Sequence, residues 1–255
     1  MTAQFSPPWS QLETLNATLS TKGYALLEAS SVVRWAGTTA HDLDFLQSFW
    51  SDLPPDPHLR DGGRYRRRRH GCFVVSSKQV KQVAHRAHWQ PLAYNALHGG
   101  MQRWFAPLES AMINCQAWGA LLGALARQCS ALHGEQAWFI EAHPFRIDTT
   151  DGIGRPTPEG AHRDGVDLVA VFILERHAIK GGETRIFEAD GPTGLRFTLE
   201  QPWSLILLDD HRVIHESTPI QPLERNTLGW RDTLVITCRS GSFQGEAQDM
   251  LENSF

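Results

Sequence analysis

Pro158-Glu159-Gly160-Ala161-His162-Arg163-Asp164-Gly165-Val166-Asp167-Leu168-Val169-Ala170-Val171-Phe172-Ile173-Leu174 couples a polar turn to an apolar run, and the architecture follows from that coupling. Residues 166–174 are rich in β-branched and apolar types, which predicts a strand. His162 and Asp164 are two apart, so on an extended chain both point to one face. About fifty residues on, His215 follows Val213-Ile214 and the strand-like residues 204–208. Two imidazoles and one carboxylate are the ligand set of a non-haem Fe(II) site that keeps positions open for oxygen and a co-substrate. His162, Asp164 and His215 are the candidate metal ligands.

Further on, Arg231-Asp232-Thr233 repeats the two-residue spacing at the start of a run reaching Thr237. One face of that strand offers a guanidinium fork and a hydroxyl, a receptor for a carboxylate. Iron ligands beside a carboxylate receptor predict a 2-oxoglutarate oxygenase, with Arg231 and Thr233 holding the co-substrate. Taken alone, His162-x-Asp164 also reads as a polar loop, because Pro156, Pro158, Gly160 and Gly165 surround it. The downstream histidine and Arg-x-Thr, in that order, favour the metal reading.

Rival metal patterns fare worse. His211 and His215 have the spacing of a zinc-protease helix, but that chemistry needs glutamate where Arg212 stands, and Val213-Ile214 favour a strand. His133, Glu135 and His143 form another conceivable trio that spans a helix end at Gly134. Of the twelve histidines, His58, His85, His88 and His98 are expected to be solvated or satisfied bystanders.

The 255 residues fit one domain, and 41% hydrophobic content with nine tryptophans provides for a sizeable aromatic core. A net charge of −4 argues against broad nucleic-acid binding. Cys72, Cys115, Cys129 and Cys238 form no C-x-x-C pair and suit reduced, mostly buried thiols. Residues 1–8 lack the basic and apolar regions of a signal peptide, and the longest apolar runs are too short to span a bilayer. A cytoplasmic protein without membrane association is expected; the sequence does not give the oligomeric state.

Residues 1–135 read as mainly helical support. Residues 38–50 carry Leu43, Leu46 and Trp50 at helical spacing behind Thr38 and Thr39 as caps. Residues 107–132 form the clearest helix, with Pro107 in its first turn, a stripe from Leu108 to Cys129, and Gly134 after its end. Residues 136–240 form the core: strands are expected near 138–147, 166–174, 184–188, 195–199, 204–208, 212–215 and 233–239. Gly181-Gly182 and Asp190-Gly191-Pro192 punctuate them as turns. Short strands at near-regular spacing predict an antiparallel double sheet or barrel. The tail from Ser240 onward, which includes residues 241–255, is polar and expected to fray.

Arg64-Tyr65-Arg66-Arg67-Arg68-Arg69-His70 is a sharp charge run. Alternation on a strand would set Tyr65, Arg67 and Arg69 on one side, where Arg67 could hold an anionic substrate group. A charge-protected strand edge is the plainer alternative.

Gly62-Gly63 through Gly71, residues 158–165, Gly181-Gly182-Glu183, Leu208-Asp209-Asp210, residues 215–220 and Gly229-Trp230-Arg231-Asp232 together resemble the bacterial 2-oxoglutarate/Fe(II) dioxygenase family, nearest its BsmA branch, which includes L-isoleucine hydroxylases. The resemblance covers residues 50–240. It implies an α+β fold: a double-stranded β-helix, the cupin-like jelly roll, backed by helices. It also implies Fe(II) on His162, Asp164 and His215, 2-oxoglutarate anchored by Arg231, and O2 as oxidant.

The family's characterised members oxidise free L-amino acids, by aliphatic hydroxylation or thioether sulfoxidation, with release of succinate and CO2. Members of the branch are associated with biofilm and stress phenotypes. A carboxylate at Asp164 argues against halogenation, which would need a halide in its place. An amino-acid head group needs a partner for each charge: Glu159 for the ammonium, and Arg146 or an arginine of the 64–69 run, Arg67 first, for the carboxylate. The alternatives are a non-catalytic ligand-binding jelly roll, which need not keep Arg231, and an oxygenase acting on a peptide or nucleic acid.

Overall fold

The computed structural model describes residues 6–245. The chain runs α1 (Leu15–Lys22), β1 (Tyr24–Leu27), α2 (Ala29–Ala36), α3 (Ala40–Gln47), β2 (Arg66–Arg68), β3 (Gly71–Val75), β4 (Val80–Gln82), α4 (Ser110–Ile113) and α5 (Gln116–His133). There follow β5 (Trp138–Asp148), β6 (Leu168–His177), β7 (Ile179–Gly181), β8 (Thr184–Glu188), β9 (Gly194–Phe197), β10 (Ser204–Asp209), β11 (Val213–Ser217), β12 (Ile220–Pro222) and β13 (Trp230–Arg239).

An 8-stranded antiparallel sheet has the order β1-β10-β6-β13-β5-β3-β4, with β2 also paired to β5. Its alternation sorts side chains into two layers. Phe172, Leu205, Leu207, Leu234, Ile236 and Ile140 face the helices, where α5 supplies Trp118, Leu121, Leu122 and Leu125. Val169, Ile173, Ile206 and Leu208 face the other way and pack against Ile186, Phe197 and Val213 of the 3-stranded sheet β11-β8-β9. Two sheets face to face form the jelly roll, and the helices form a third layer outside it.

α3 starts where Thr39 accepts a hydrogen bond from the Asp42 amide, as its cap position requires. A 3-10 turn, Ser48–Trp50, then buries Trp50, whose indole N–H donates to the carbonyls of Phe145 and Thr233 at 3.2 Å each. Thr233 sits at a register shift between β13 and β6, so Trp50 supports the sheet at its bulge.

Three expectations need correction. The first half is not only helical: β1, β2, β3 and β4 all join the large sheet, and being three to five residues long they leave little periodic signal. The helix expected over 107–132 is broken, since Cys115 is extended and caps α5, while Pro107 lies before α4 and bridges His70. The tail does not fray over its described part, because Phe243 is buried against Phe139 and Gln244 donates to the carbonyls of Asp164 and Gly165. Residues 246–255 lie outside the described residues. No described helix is long and apolar enough to cross a membrane, and all four cysteines are free.

Candidate active site

His162 and Asp164 sit in the loop before β6 rather than on a strand. Two local devices give them their geometry. His162 forms an isolated antiparallel bridge with His215, which lies on β11. The Asp210 carboxylate accepts the amides of Asp164 (2.9 Å), Gly165 (2.6 Å) and Val166 (3.1 Å), so the loop is wound around it. Gly165 has φ +77°, and a Cβ there would fall 2.4 Å from the Tyr94 ring, so both the backbone and the space call for glycine.

The result is one cluster. The donor atoms of His162, Asp164 and His215 lie within 4.8 Å of one another. Nε2 of His162 is 3.9 Å from Asp164 Oδ1, and Nε2 of His215 is 3.7 Å from Asp164 Oδ2. The Gly160 carbonyl lies 2.9 Å from His162 Nδ1 and accepts its proton, which leaves the Nε2 lone pair facing Asp164. Gln90 donates to Asp164 Oδ1 at 3.3 Å.

Burial raises the Asp164 carboxyl, with Glu159 adding to the effect against His162. Burial and neighbouring His162 push His215 down to about 3, so its ring is neutral. Burial lowers His162, but the charges of Asp164 and Glu159 outweigh it and raise the ring, so a positive charge is favoured there. A buried carboxylate beside two imidazole nitrogens fits a divalent cation, which would relieve the penalty on the carboxylate.

Arg231 and Thr233 line the same cavity from β13, and Glu159 lines it beside His162. Arg231 is buried, has no ion-pair partner among the described residues, and leaves its Nε without an acceptor. Burial and nearby Arg176 pull it down to about 9. A lone buried guanidinium of this kind fits an incoming carboxylate. Glu159 likewise leaves a buried oxygen, Oε2, unpartnered.

Arg146 and Arg67 are not in the cavity, contrary to the sequence reading. On β5 the odd-numbered His143, Phe145 and Ile147 line it, so Arg146 points away and pairs with Asp232 at 2.6 Å. On β2 the inward residues are Arg66 and Arg68, while Arg67 turns outward to Asp148 at 3.7 Å. The parity expected for the charge run is therefore one residue out of step, because four successive arginines, 66–69, carry no apolar mark of which face is buried.

Sequence reasoning also missed a buried polar wall. His70 Nε2 and His88 Nδ1 both lie within hydrogen-bonding distance of Glu141 Oε2, at 3.0 and 2.6 Å, and His143 stacks on His70. His88 and His98, expected as bystanders, are buried. The rejected trio stays apart: His133 ends α5 against Trp138, and His143 is inside the jelly roll.

A family model described as 2OG-Fe dioxygenase matches residues 47–237. The chain belongs to the 2OG-Fe dioxygenase family. Its members use Fe(II), 2-oxoglutarate and O2, and the donor set described above suits that metal. This dioxygenase is 53% identical to a bsmA homologue from Methylobium petroleophilum PM1, with 92% of this chain and 96% of that one covered and a TM-score of 0.88. It is therefore of the BsmA type. The fold is shared with IDO from Bacillus thuringiensis, at 15% identity, 91% and 100% coverage and a TM-score of 0.74. It is shared too with the Fe(II)/α-ketoglutarate-dependent dioxygenase TqaL, at 22% identity, 91% and 88% coverage and a TM-score of 0.70. No curated protein sequence matches significantly.

Proposed function

We propose that this dioxygenase oxidises a small free L-amino acid, by C–H hydroxylation or thioether sulfoxidation. His162, Asp164 and His215 would hold Fe(II), and Arg231 with Thr233 the far carboxylate of 2-oxoglutarate. The observation that carries the reading is the convergence of the His-Asp-His cluster and the unpaired, buried Arg231 on one cavity. The family resemblance supports the amino-acid class, and Glu159, with its unpartnered Oε2 beside His162, supplies an acceptor for an ammonium group.

When bound, Fe(II) with 2-oxoglutarate and O2 supplies the oxidising power, and the co-substrate leaves as succinate and CO2. The chain's own residues bind and orient. The Gly160 carbonyl fixes the His162 tautomer, Gln90 steadies Asp164, and Asp210 holds the loop that carries it. Arg231 would hold the co-substrate's far carboxylate, for which a planar guanidinium fork is better suited than a point charge. Val171, Val235 and Ile147 give the cavity an apolar lining that limits water around the reacting group. Incubation with Fe(II), 2-oxoglutarate and each of the twenty amino acids tests the proposal: one or a few aliphatic or thioether amino acids should stimulate succinate release. Stimulation by none would reject the substrate class.

A further inference from the structure

The cavity wall formed by β2 and the residue 88–103 segment holds two arginines that the proposed chemistry leaves unused. Arg68 and Arg103 line the cavity and are 3% and 2% exposed. Neither has an ion-pair partner among the described residues, and Nε of each is buried without an acceptor. Of the carboxylates whose charge acts on them, Glu159 reaches Arg103 without pairing with it, and Asp56 and Glu141 are committed elsewhere. Asp56 pairs with Arg66 at 2.6 Å, and Glu141 is engaged by His70 and His88. Burial pulls Arg103 down to about 10 and lowers Arg68 as well. Holding two guanidinium ions out of water without a direct ion pair is costly, and an anionic ligand would relieve that cost.

Both groups are braced rather than loose. The Arg68 guanidinium lies between the rings of Phe105 (3.7 Å) and Phe145 (4.3 Å), and its Nη2 donates to His143 Nδ1 at 2.6 Å. Arg103 donates to Gln90 Oε1 at 2.8 Å. Gln90 in turn donates to Asp164, so one side chain separates Arg103 from the His-Asp-His cluster.

His70, His88, Glu141 and His143 are themselves close enough to hold a metal. The Arg68 contact argues against it. An N–H donor on His143 Nδ1 needs the lone pair there, so the proton sits on Nε2, the atom that faces Glu141 at 3.9 Å. With Arg68 and Arg103 alongside, the cluster repels a cation and favours an anion.

We infer that Arg68 and Arg103 form a second anion subsite, separate from Arg231, which takes the carboxylate of the substrate. Arg68 pairs with Phe145 on β5, and Phe145 with Thr233 on β13, so the subsite is two strand spacings, about 10 Å, from the co-substrate row. Its assignment to an amino acid's carboxylate rests on the proposed function, with Glu159 left for the ammonium; the anion preference does not.

The test is anaerobic calorimetry on the Fe(II)-loaded protein with 2-oxoglutarate saturating, so that Arg231 is filled. Isovalerate is compared with isovaleramide, which has the same shape and no charge. The wild type should bind the acid about tenfold or more tightly than the amide, as loss of a charge-assisted contact requires. Arg103→Met and Arg68→Met should each reduce that preference to within about threefold, with 2-oxoglutarate affinity held within about twofold. Arg103→Lys, which keeps stem and charge, serves if a methionine variant fails to fold, and should weaken acid binding several-fold. Equal binding of acid and amide by the wild type, binding of neither, or a full preference retained in the folded variants overturns the subsite. Failure of every amino acid to stimulate succinate release, with the acid preference intact, would instead remove the substrate class and leave the subsite standing.

Discussion

His162 and His215 are hydrogen-bonded to each other through their main chains, the His162 amide to the His215 carbonyl at 3.1 Å and the reverse at 3.0 Å. Their rings lie 4.7 Å apart, centre to centre. A loop and a strand more than fifty residues apart are thus held by backbone bonds, and the spacing of the two candidate metal-ligating rings is fixed before any ligand arrives. Pre-positioning of this sort lowers the ordering cost of binding.

Arg231→Lys should raise the KM for 2-oxoglutarate by about tenfold or more, on the order of the 1.5–3 kcal/mol of a charge-assisted hydrogen bond. Initial rates of succinate formation against 2-oxoglutarate concentration measure it. Unchanged saturation would mean that another basic group, such as Arg176, whose charge acts on Arg231, holds the co-substrate.

Trp50 is far from the chemistry in sequence but bonded to the strand that carries Arg231 and Thr233. Trp50→Phe removes the one N–H shared by the carbonyls of Phe145 and Thr233 and should cost about 1–2 kcal/mol of stability. Because Thr233 then loses its support, the KM for 2-oxoglutarate should rise as well. Urea denaturation and the same kinetic series report the two effects, and a stability loss with wild-type kinetics would show that the bulge holds without the indole.

Glu159→Gln should raise the KM for the free amino acid and leave that for 2-oxoglutarate unchanged. The wild type should also turn over the free amino acid in preference to its methyl ester and its N-acetyl form. A coupled succinate assay compares all three, and equal activity on them would point to a larger substrate such as a peptide.

Acid should destabilise the fold through His88. Burial pushes its imidazole down to about 3, from about 6.5 in an unfolded chain, so the unfolded state binds a proton that the folded state refuses. Stability from this group is complete above pH 6.5 and is lost as pH falls from there toward 3. The slope approaches about 1.4 kcal/mol per pH unit. His88→Gln should flatten the profile between pH 6.5 and 5 by about that amount. An identical profile in the variant would assign the acid sensitivity to the neighbouring buried histidines.

The parts of this site that the sequence announced share one property: local regularity. Arg231 and Thr233 lie on a ten-residue strand, so a spacing of two became a shared face, and the longer strands from β5 onward fall close to their expected positions, whereas the three-residue β7 and β12 were not expected. His162 and Asp164 were brought together by a different route. No strand carries them; Asp210, forty-six residues after Asp164, winds the loop, and a link of that length has no periodic signature. The same limit hid Arg103 and Gln90, which reach the cavity from an irregular segment. Arg66 and Arg68 were visible as charge but not as orientation, because a three-residue strand of arginines carries no apolar mark to fix its register.

The most direct test of the His162-Asp164-His215 assignment is His215→Ala, measured for Fe(II) binding and for succinate release under conditions where the wild type turns over. The variant should keep the wild-type circular dichroism spectrum, bind Fe(II) at least about a hundredfold more weakly, as loss of a ligand worth several kcal/mol requires, and release no succinate above background. A folded His215→Ala protein that makes succinate at the wild-type rate would contradict the assignment and place the metal elsewhere.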